Sequence, residues 1–498
     1  MLMRESDMSV VVKIPGEVKP GGAKGHYYKR VLNDVNRTEL IGRDQNRVGE
    51  SGQGELFKRR RKEIPDSERV TTLQEKLYQK AKQEKGYKFY VLYDKMFIPY
   101  MLRQAWETVK SNGGSGGVDG ITIEDVKKMG VEQYLKDLGE DLRKQTYKPE
   151  AVKRVMIPKA NGGERPLGIP TVRDRIAQTV CKMILEPIFE ADFEGSSYGF
   201  RPGRSAGDAI AAIKENLRQG NSMVYDADLS KYFDTIPHDR LLIAIKERIS
   251  DPRMLKLIAK WLKVPVYEGG QYKGGKKNQQ GTPQGGVISP LLANVYFHLM
   301  DRIVNNTRSL FWKHGIKIIR YADDFVLMGR AIPSEVIDRM GNLLNRMGLK
   351  LNEAKTRLID AQKESFNFLG FTIRYDKDIK GRNSRYWNIM PAKKSEQKIR
   401  EKIKEYLSKH GHNSAEVITV GLNMILRGWM NYFDLPGISY PAMSKRRLRF
   451  YLCERLYRYY ARKSQRKCRL YGQNAFEVLT VHHGLIDPTK YAKPLARL

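Results

Sequence analysis

The stretch IIRYADDFVLMG, residues 318–329, sets two adjacent acidic residues, Asp323 and Asp324, between two apolar runs. The flanking runs are apolar at nearly every position, which predicts a β-hairpin packed on at least one face and partly covered on the other. A surface hairpin usually turns at Asn-Gly or Asp-Gly instead. Burial and mutual repulsion raise the pKa values of two such carboxylates unless a cation is present. The stretch therefore predicts a site for a divalent cation such as Mg²⁺, which takes carboxylate oxygens and substrate phosphates.

A second acidic segment, DADLSKYFD (226–234), places Asp228 at the end of a run that begins at Met223 and reads as a buried strand. If that run forms a strand beside the hairpin, Asp228 converges with Asp323. Two metal ions held about 4 Å apart by these carboxylates can activate a 3′-hydroxyl and stabilise a leaving pyrophosphate. The two segments together predict the two-metal scheme of nucleotidyl transfer.

The composition points to a nucleic-acid partner. The 498 residues include 90 Lys and Arg against 56 Asp and Glu, a formal charge of +34. That excess argues against a typical cytosolic metabolic enzyme and for a polyanion, with an anionic membrane a distant second. The three cysteines are dispersed, so neither a disulfide framework nor a zinc ribbon is predicted. With no apolar run of about 18 residues and no secretory signal, we expect a cytoplasmic protein without a membrane partner.

The order of predicted elements indicates an α+β protein. A hairpin at 150–170 precedes an amphipathic helix at 174–190, and a Gly-rich turn at 281–288 enters a long apolar helix. Strands and helices come in runs and not in βαβ alternation. The chain after about 390 is helical and basic, and residues 441–470 contain eleven Lys and Arg against one Glu. Because nearly all of its charges are positive, we interpret this segment as a phosphate-binding surface and not as a simple solvated helix face.

Several blocks carry a resemblance to a known family. Three segments resemble the palm motifs of a reverse transcriptase in their order and spacing. They are DLSKYFD (228–234), PQGG (283–286) and YADD (321–324). The closer match is to group II intron reverse transcriptases, which is carried also by RPLGIPTVRDRIAQ (165–178), SYGFRPGRSA (197–206), GTPQGGVISPLLANVYF (281–297), LKLNEAKT (349–356) and FNFLGF (366–371). ILRGWMNYF (425–433) resembles the maturase-specific thumb of that family, and the resemblance covers about residues 95–465.

This resemblance implies a right-hand polymerase with fingers, an antiparallel palm sheet and a helical thumb. The expected divisions are a polar, flexible leader (1–70), a helical RNA-binding extension (71–150), fingers and palm (151–375), a thumb or maturase domain (376–465) and a short basic DNA-binding-like segment (466–498). The cluster KRRRK at 58–62 is either a solvated charge run or an RNA-contacting arm.

The resemblance also assigns roles at the catalytic centre. Asp228 and Asp323 are the expected main ligands of two Mg²⁺ ions, for which Mn²⁺ can substitute, and Asp324 completes the site. Lys355 is a candidate general acid for the leaving pyrophosphate. Its alternative is an ordinary surface lysine at a helix end.

The incoming dNTP is expected between the fingers and the palm. Lys159 and Arg165, on the fingers hairpin, would meet the triphosphate, unless they are exposed turn cations. Gln284 would help to align the template base. The other residues of the expected nucleotide pocket are Leu229, Tyr232 and Phe233, where one of the two rings excludes a 2′-hydroxyl and the other is ordinary core.

Two clusters are predicted to bind RNA. The first combines a ring with cations in SYGFRPGR and consists of Tyr198, Arg201 and Arg204; the alternative is a packed aromatic pair with solvated arginines. The second lies in the basic C-terminal helix and consists of Lys445, Arg446 and Arg447. Trp429 is expected in the thumb core.

The resulting functional prediction is an RNA-directed DNA polymerase encoded by a group II intron. It would bind its intron RNA to assist splicing and, in retrohoming, copy that RNA into DNA from a primer at the target DNA. No Cys/His-bearing HNH endonuclease block follows the basic helix, so we expect no cleavage of the second strand. A domesticated relative in host defence or DNA repair, and an RNA-binding splicing factor with an inactive palm, are the alternatives. The acidic residues disfavour the latter, and the sequence does not predict the oligomeric state.

Overall fold

The computed structural model describes residues 64–158, 164–275, 278–283, 285–378, 384–463, 470 and 472–492. The basic cluster at 58–62 and the candidates Lys159 and Gln284 lie outside these residues, and the side chain of Arg165 is not described either. In the described part, no helix is both long and apolar enough to cross a membrane.

The first part of the described chain is helical and leads into a hairpin. Its elements are α1 (Asp66–Gln83), α2 (Pro99–Asn112), α3 (Ile123–Met129), α4 (Val131–Arg143), β1 (Val152–Pro158), β2 (Glu164–Ile169), α5 (Val172–Glu190) and α6 (Ala206–Arg218). Helix α1 begins inside the segment predicted to be a flexible leader. Its first turn carries Asp66 and Glu68, which favour a helix N-terminus, and Asp66 pairs with Arg103 of α2 at 2.6 Å.

The middle of the chain contains short runs of helices between its strands. It contains β3 (Met223–Ala227), α7 (Tyr232–Thr235), α8 (His238–Lys246), α9 (Pro252–Leu262), β4 (Pro265–Glu268), β5 (Gln271–Gly274), α10 (Ser289–Asn305), α11 (Leu310–Lys313), β6 (Lys317–Tyr321), β7 (Asp324–Gly329), α12 (Ser334–Arg346) and β8 (Arg357–Asp360). The rest contains β9 (Phe366–Phe368), β10 (Phe371–Lys377), β11 (Arg385–Pro391), α13 (Lys393–Lys409), α14 (Ala415–Phe433), α15 (Ala442–Ala461) and α16 (Ala475–His483).

The described strands form three sheets. The central sheet has the order β6-β7-β3-β8 and is antiparallel throughout, which confirms the predicted palm sheet. A second sheet, β2-β1-β4-β5, contains the predicted fingers hairpin, and its β1–β4 pair is parallel over two residue pairs. The third sheet, β11-β10-β9, leads into the C-terminal helices.

The palm sheet is buried on both faces because it separates two hydrophobic cores. Successive side chains of a strand point to opposite faces. Along β7, Phe325 and Leu327 belong to the core shared with α1–α5 and α8–α10, whereas Val326 and Met328 belong to the core shared with α6 and α13–α16. This arrangement explains why the sequence is apolar at nearly every position of the hairpin.

The C-terminal helices pack on the second core. Helices α13, α14 and α15 lie in the region predicted to be a helical thumb, and α16 packs on them as a fourth helix. Trp429 is 9 % exposed and packs against Phe433, with ring centroids 5.1 Å apart. It is therefore a residue of the thumb core, as expected.

Candidate active site

The two adjacent carboxylates lie at the tip of the β6–β7 hairpin, but in different positions. Tyr321 pairs with Asp324, so the two-residue loop consists of Ala322 and Asp323. Ala322 has φ +60°, a left-handed conformation that non-glycine residues seldom adopt. Asp323 is 3 % exposed, whereas Asp324 opens β7 and is half-buried.

Asp228 reaches the same place from strand β3. Ala227 pairs with Phe325 in the antiparallel β3–β7 ladder, so the next residue, Asp228, lies beside Asp324. The convergence predicted from two distant segments therefore occurs at the end of the palm sheet.

The electrostatics of the site are those of crowded carboxylates. Burial raises the pKa of Asp323 well above its ordinary value, and the charges of Asp324 and Asp228 raise this pKa further. One oxygen of Asp323, Oδ1, is buried and finds no hydrogen-bond partner in the described part of the chain. Such an oxygen is costly to bury unless something else binds it.

Sequence reasoning missed a fourth carboxylate, Asp226. Burial is the main cause that raises its pKa to about 7, followed by the charge of Asp324, while Arg357 opposes the shift. The spacing D-A-D was the available signal, since residues two apart in a strand share one face.

Asp228 is engaged by two side chains from the loop before β8. Its Oδ2 accepts hydrogen bonds from Lys355 Nζ at 2.9 Å and from Asn352 Nδ2 at 3.1 Å. The main chains are joined as well, because Asn352 N–H donates to the Asp228 carbonyl at 2.8 Å. Lys355 is thus at the acidic site and not at a remote helix end.

In chemistry, these residues fit a hard divalent cation, since they offer crowded carboxylates and a buried oxygen that lacks a partner. In geometry, the fit is incomplete. Among the described residues, no group of three or more His, Cys, Asp or Glu side chains is arranged to hold a metal ion. The Asp228 carboxylate is paired with the ammonium of Lys355 instead.

The Gly-rich turn before α10 joins the palm to the fingers. Thr282 N–H donates to the Phe233 carbonyl at 2.7 Å. Gly285 has φ +102°, and a Cβ there would lie 2.1 Å from the Gly168 carbonyl oxygen, so only glycine permits this approach. Gly285 is therefore placed against β2, where Arg165 pairs with Ile157 in the ladder.

The residues of the expected nucleotide pocket are largely buried. Tyr232 is 3 % exposed, donates its hydroxyl to the Ala293 carbonyl at 2.7 Å and packs against Phe297, so its ring belongs to the core. Leu229 is 2 % exposed, so its side chain also belongs to the core. Phe233 is 6 % exposed and belongs to the same core, so its role in excluding a 2′-hydroxyl stays a prediction.

The structure corrects the prediction for Arg201. Its guanidinium is buried and pairs with Glu190 at 2.6 Å, and it donates to the Glu194 and Ser197 carbonyls. These donors are committed inside the protein, so Arg201 is not placed to contact RNA. Arg204 and Tyr198 are half-buried and form a cation–π contact, with the guanidinium 5.3 Å from the ring centroid.

Lys445 is also corrected. Its ammonium is 2.5 Å from Asp434 Oδ2, and its side chain is 12 % exposed, so its charge is balanced inside the thumb. Arg446 and Arg447, on the same helix, are exposed, and Arg447 makes a long contact of 3.4 Å with Glu396. These two arginines lie on the surface of α15, and their contact with RNA stays a prediction.

Comparisons with known proteins agree with this architecture. A reverse transcriptase (RNA-dependent DNA polymerase) family model matches residues 157–373, and a group II intron maturase-specific domain matches residues 396–474. Protein YkfC of Escherichia coli (strain K12) is 36% identical over 302 residues, which cover 53% of this chain and 78% of YkfC.

Two further relatives are longer. The group II intron-encoded protein LtrA of Lactococcus lactis subsp. cremoris is 31% identical over 57% of this chain and 56% of LtrA. The 91 kDa protein in the cob intron of Schizosaccharomyces pombe is 26% identical over 72% of this chain and 53% of that protein. The chain thus spans about half the length of these two relatives.

Among solved structures, a partial Cas6-RT-Cas1–Cas2 complex has 24% identity over 51% of this chain and 42% of the other, with a TM-score of 0.32. A likeness of that size adds nothing to the assignment. The two family models and YkfC suffice: the chain belongs to the family of group II intron reverse transcriptases and maturases. The resemblance inferred from the motifs is confirmed.

Proposed function

We propose that this protein is the RNA-directed DNA polymerase of a group II intron, which assists splicing of its intron RNA and copies that RNA into DNA during retrohoming. The observation that carries the proposal is the meeting of Asp228, Asp323 and Asp324 at one end of the palm sheet. Family membership supports the RNA and DNA substrates.

In the proposed mechanism, Asp228, Asp323 and Asp324 would hold two Mg²⁺ ions, or Mn²⁺ in their place. When bound, such ions activate the primer 3′-hydroxyl and stabilise the leaving pyrophosphate. For Asp228 to take part, its carboxylate must leave Lys355, with which it is now paired. Lys355 is then available to give a proton to the pyrophosphate oxygen as general acid.

The nucleotide is proposed to lie between the palm and β1–β2. The contact of Gly285 with Gly168 joins the Gly-rich turn to strand β2. The proposal adds Gln284, Lys159 and Arg165, which are neighbours of these segments in the sequence. Roles for these three side chains, on the template base and the triphosphate, rest on the family resemblance. Phe233 is proposed to lie under the sugar.

Assistance of splicing is proposed to be binding work, in which cations neutralise phosphates so that the intron RNA can fold. The net charge of +34 and the exposed Arg446 and Arg447 of α15 support this role. Binding to the DNA target is proposed from the same charge and from the family.

Primer extension tests the polymerase activity. The full chain, an RNA template with an annealed DNA primer, dNTPs and Mg²⁺ should yield full-length DNA, a chelator should abolish the product, and Mn²⁺ should restore part of it. No product across varied primers and templates would contradict the proposal and favour RNA binding without catalysis.

A splicing assay tests the maturase role. The precursor RNA of a group II intron that flanks the coding sequence should splice at a lower Mg²⁺ concentration with the protein than without it. An unchanged Mg²⁺ requirement, or the absence of such an intron beside the coding sequence, would contradict this role but not the polymerase activity.

A further inference from the structure

Arg320 is a charged residue with no exposed surface, in the strand that leads into the Ala322–Asp323 turn. It pairs with Asp301 of α10, which is also fully buried; Nη2 lies 2.6 Å from Oδ2, and Nε lies 3.0 Å from Oδ1. Removing such a pair from water is costly, and apolar residues often replace buried ion pairs without loss of stability. Stability alone is therefore a weak explanation for this pair.

Every N–H donor of the Arg320 guanidinium has an acceptor. Besides the two bonds to Asp301, Nη2 donates to Ser197 Oγ at 2.6 Å, and Nη1 donates to Asn294 Oδ1 at 2.9 Å. The fifth donor, on Nη1, binds the carbonyl oxygen of Ala322 at 2.8 Å. A lysine offers only three donors and no planar fork, so it cannot reproduce this set.

The acceptor at Ala322 connects the network to the acidic site, because Ala322 is the residue that directly precedes Asp323. Its φ of +60° is a strained conformation for a residue with a side chain, and such conformations persist only where the surroundings hold them. Arg320 holds the carbonyl of this residue from one side.

The segment around Gly199 also contacts the same turn. A Cβ at Gly199 would lie 2.5 Å from the Ala322 nitrogen, so the glycine backbone is pressed against the turn. Asn294, which binds Arg320, also donates from Nδ2 to the Gly199 carbonyl at 2.8 Å. In addition, the Tyr198 N–H donates to the Arg320 carbonyl at 2.8 Å.

We propose that Arg320, held by Asp301, is a positioning residue that fixes the Ala322–Asp323 turn and thereby sets the affinity of the acidic site for divalent cations. Arg320 does not touch the substrate; it acts through the backbone that carries Asp323. The inference rests on the proposed polymerase function, since it assigns a cause for cation binding at the same site. This inference gives the buried Arg320–Asp301 pair a role, which is to hold the Ala322–Asp323 turn in its geometry.

The test compares Arg320→Lys with Arg248→Lys in the full chain. Arg248 is the matched control because it is 4 % exposed, pairs with Asp192 at 3.1 Å and donates to backbone carbonyls at the end of α1, away from the acidic site. Binding of Mn²⁺ to the free protein is measured by electron paramagnetic resonance, together with the thermal unfolding temperature and the Mg²⁺ dependence of primer extension.

Both variants should unfold at lower temperature, since each disturbs a buried network. Only Arg320→Lys should weaken Mn²⁺ binding, by about tenfold or more, and shift the Mg²⁺ dependence to higher concentration, while affinity for the template–primer stays within about threefold. Unchanged Mn²⁺ binding in Arg320→Lys, or an equal loss in both variants, would overturn the inference. Failure of the wild type to bind Mn²⁺ or to extend primers would instead count against the proposed function.

A second variant tests the turn if Arg320→Lys does not fold. Gly199→Ala adds a methyl group against the Ala322 nitrogen without unpairing a buried charge. The control is Gly341→Ala on α12, where a Cβ would meet nothing within 4 Å. Weaker Mn²⁺ binding in Gly199→Ala alone supports the inference, and wild-type binding in both glycine variants overturns it.

Discussion

At the residue scale, the positions of the acidic side chains followed from one physical argument. Carboxylates in apolar strands are costly, so Asp228, Asp323 and Asp324 were expected to share a task, and the sheet brings them to one end. Arg320 was not predicted, because its partner Asp301 lies 19 residues earlier on a helix and the sequence does not reveal their contact. For Asp226, the sequence offered one signal, its spacing of two residues from Asp228.

Lys355 gives a prediction at this scale. Lys355→Ala should lower the rate of single-nucleotide incorporation by about 100-fold or more, because general acids typically contribute that much. The ammonium, 2.9 Å from Asp228, is close enough to the acidic site for this role. Rapid-quench kinetics at saturating dNTP and Mg²⁺ measures the rate.

The exposed neighbour Lys350 supplies the control, and Lys350→Ala should incorporate nucleotides at the wild-type rate. If Lys355→Ala also keeps the wild-type rate, the lysine only neutralises Asp228 and has no part in proton transfer.

At the scale of elements, periodicity predicted the hairpins and helices near the site. Helix α5 was expected at 174–190 and is found at Val172–Glu190, because its apolar residues repeat at helical spacing. The partners of long cations could not be predicted in the same way. Arg201 and Lys445 appeared as RNA-binding residues in a linear pattern, yet Glu190 and Asp434 neutralise them in the folded chain.

Helix α5 also carries a titratable group whose stability effect has a definite sign. Asp174 accepts hydrogen bonds from the Tyr147 hydroxyl and the Glu150 N–H, and burial raises its pKa to about 6. The folded pKa exceeds the unfolded value of about 3.9. The folded state therefore binds the proton more tightly, and the resulting stabilisation is present below about pH 4 and lost as the pH rises through about 6.

The Asp174→Asn variant has no titratable group at this position, so it lacks this pH-dependent stabilisation. As the pH falls from 7 to 4, the unfolding free energy of the wild type should rise relative to that of Asp174→Asn. The rise should be on the order of 3 kcal/mol at most. Urea unfolding followed by tryptophan fluorescence at several pH values measures the difference. A difference that stays constant with pH would contradict the raised pKa, and Asp338→Asn on α12 controls for the loss of a carboxylate in general.

At the scale of the whole molecule, one sheet separates two cores and carries the acidic site at its end. The N-terminal helices belong to the same core as the palm, so they are structurally continuous with it. The sequence analysis divided residues 71–150 from residues 151–375 because a sequence pattern records local periodicity. It does not record the contacts between distant helices. The net charge of +34 belongs to the molecule as a whole and should govern how it meets RNA.

Salt dependence tests this charge. RNA affinity should fall steeply as salt rises, because each phosphate contact releases counterions, and Arg446→Gln should reduce the log–log slope by about one. Lys445→Gln is the matched control on the same helix: it should leave the slope unchanged and lower the unfolding temperature, since its charge is paired with Asp434. A flat salt response, or an equal slope change in both variants, would contradict an RNA surface on α15.

The most direct test of the central claim is primer extension by Asp323→Ala beside the exposed control Asp338→Ala, with RNA affinity measured for both. The convergence of Asp228, Asp323 and Asp324 as the catalytic centre predicts no detectable DNA product from Asp323→Ala and RNA affinity within a few-fold of wild type, whereas Asp338→Ala remains active. Synthesis at the wild-type rate by Asp323→Ala would contradict the catalytic assignment, and loss of RNA binding together with synthesis would show that the residue is structural.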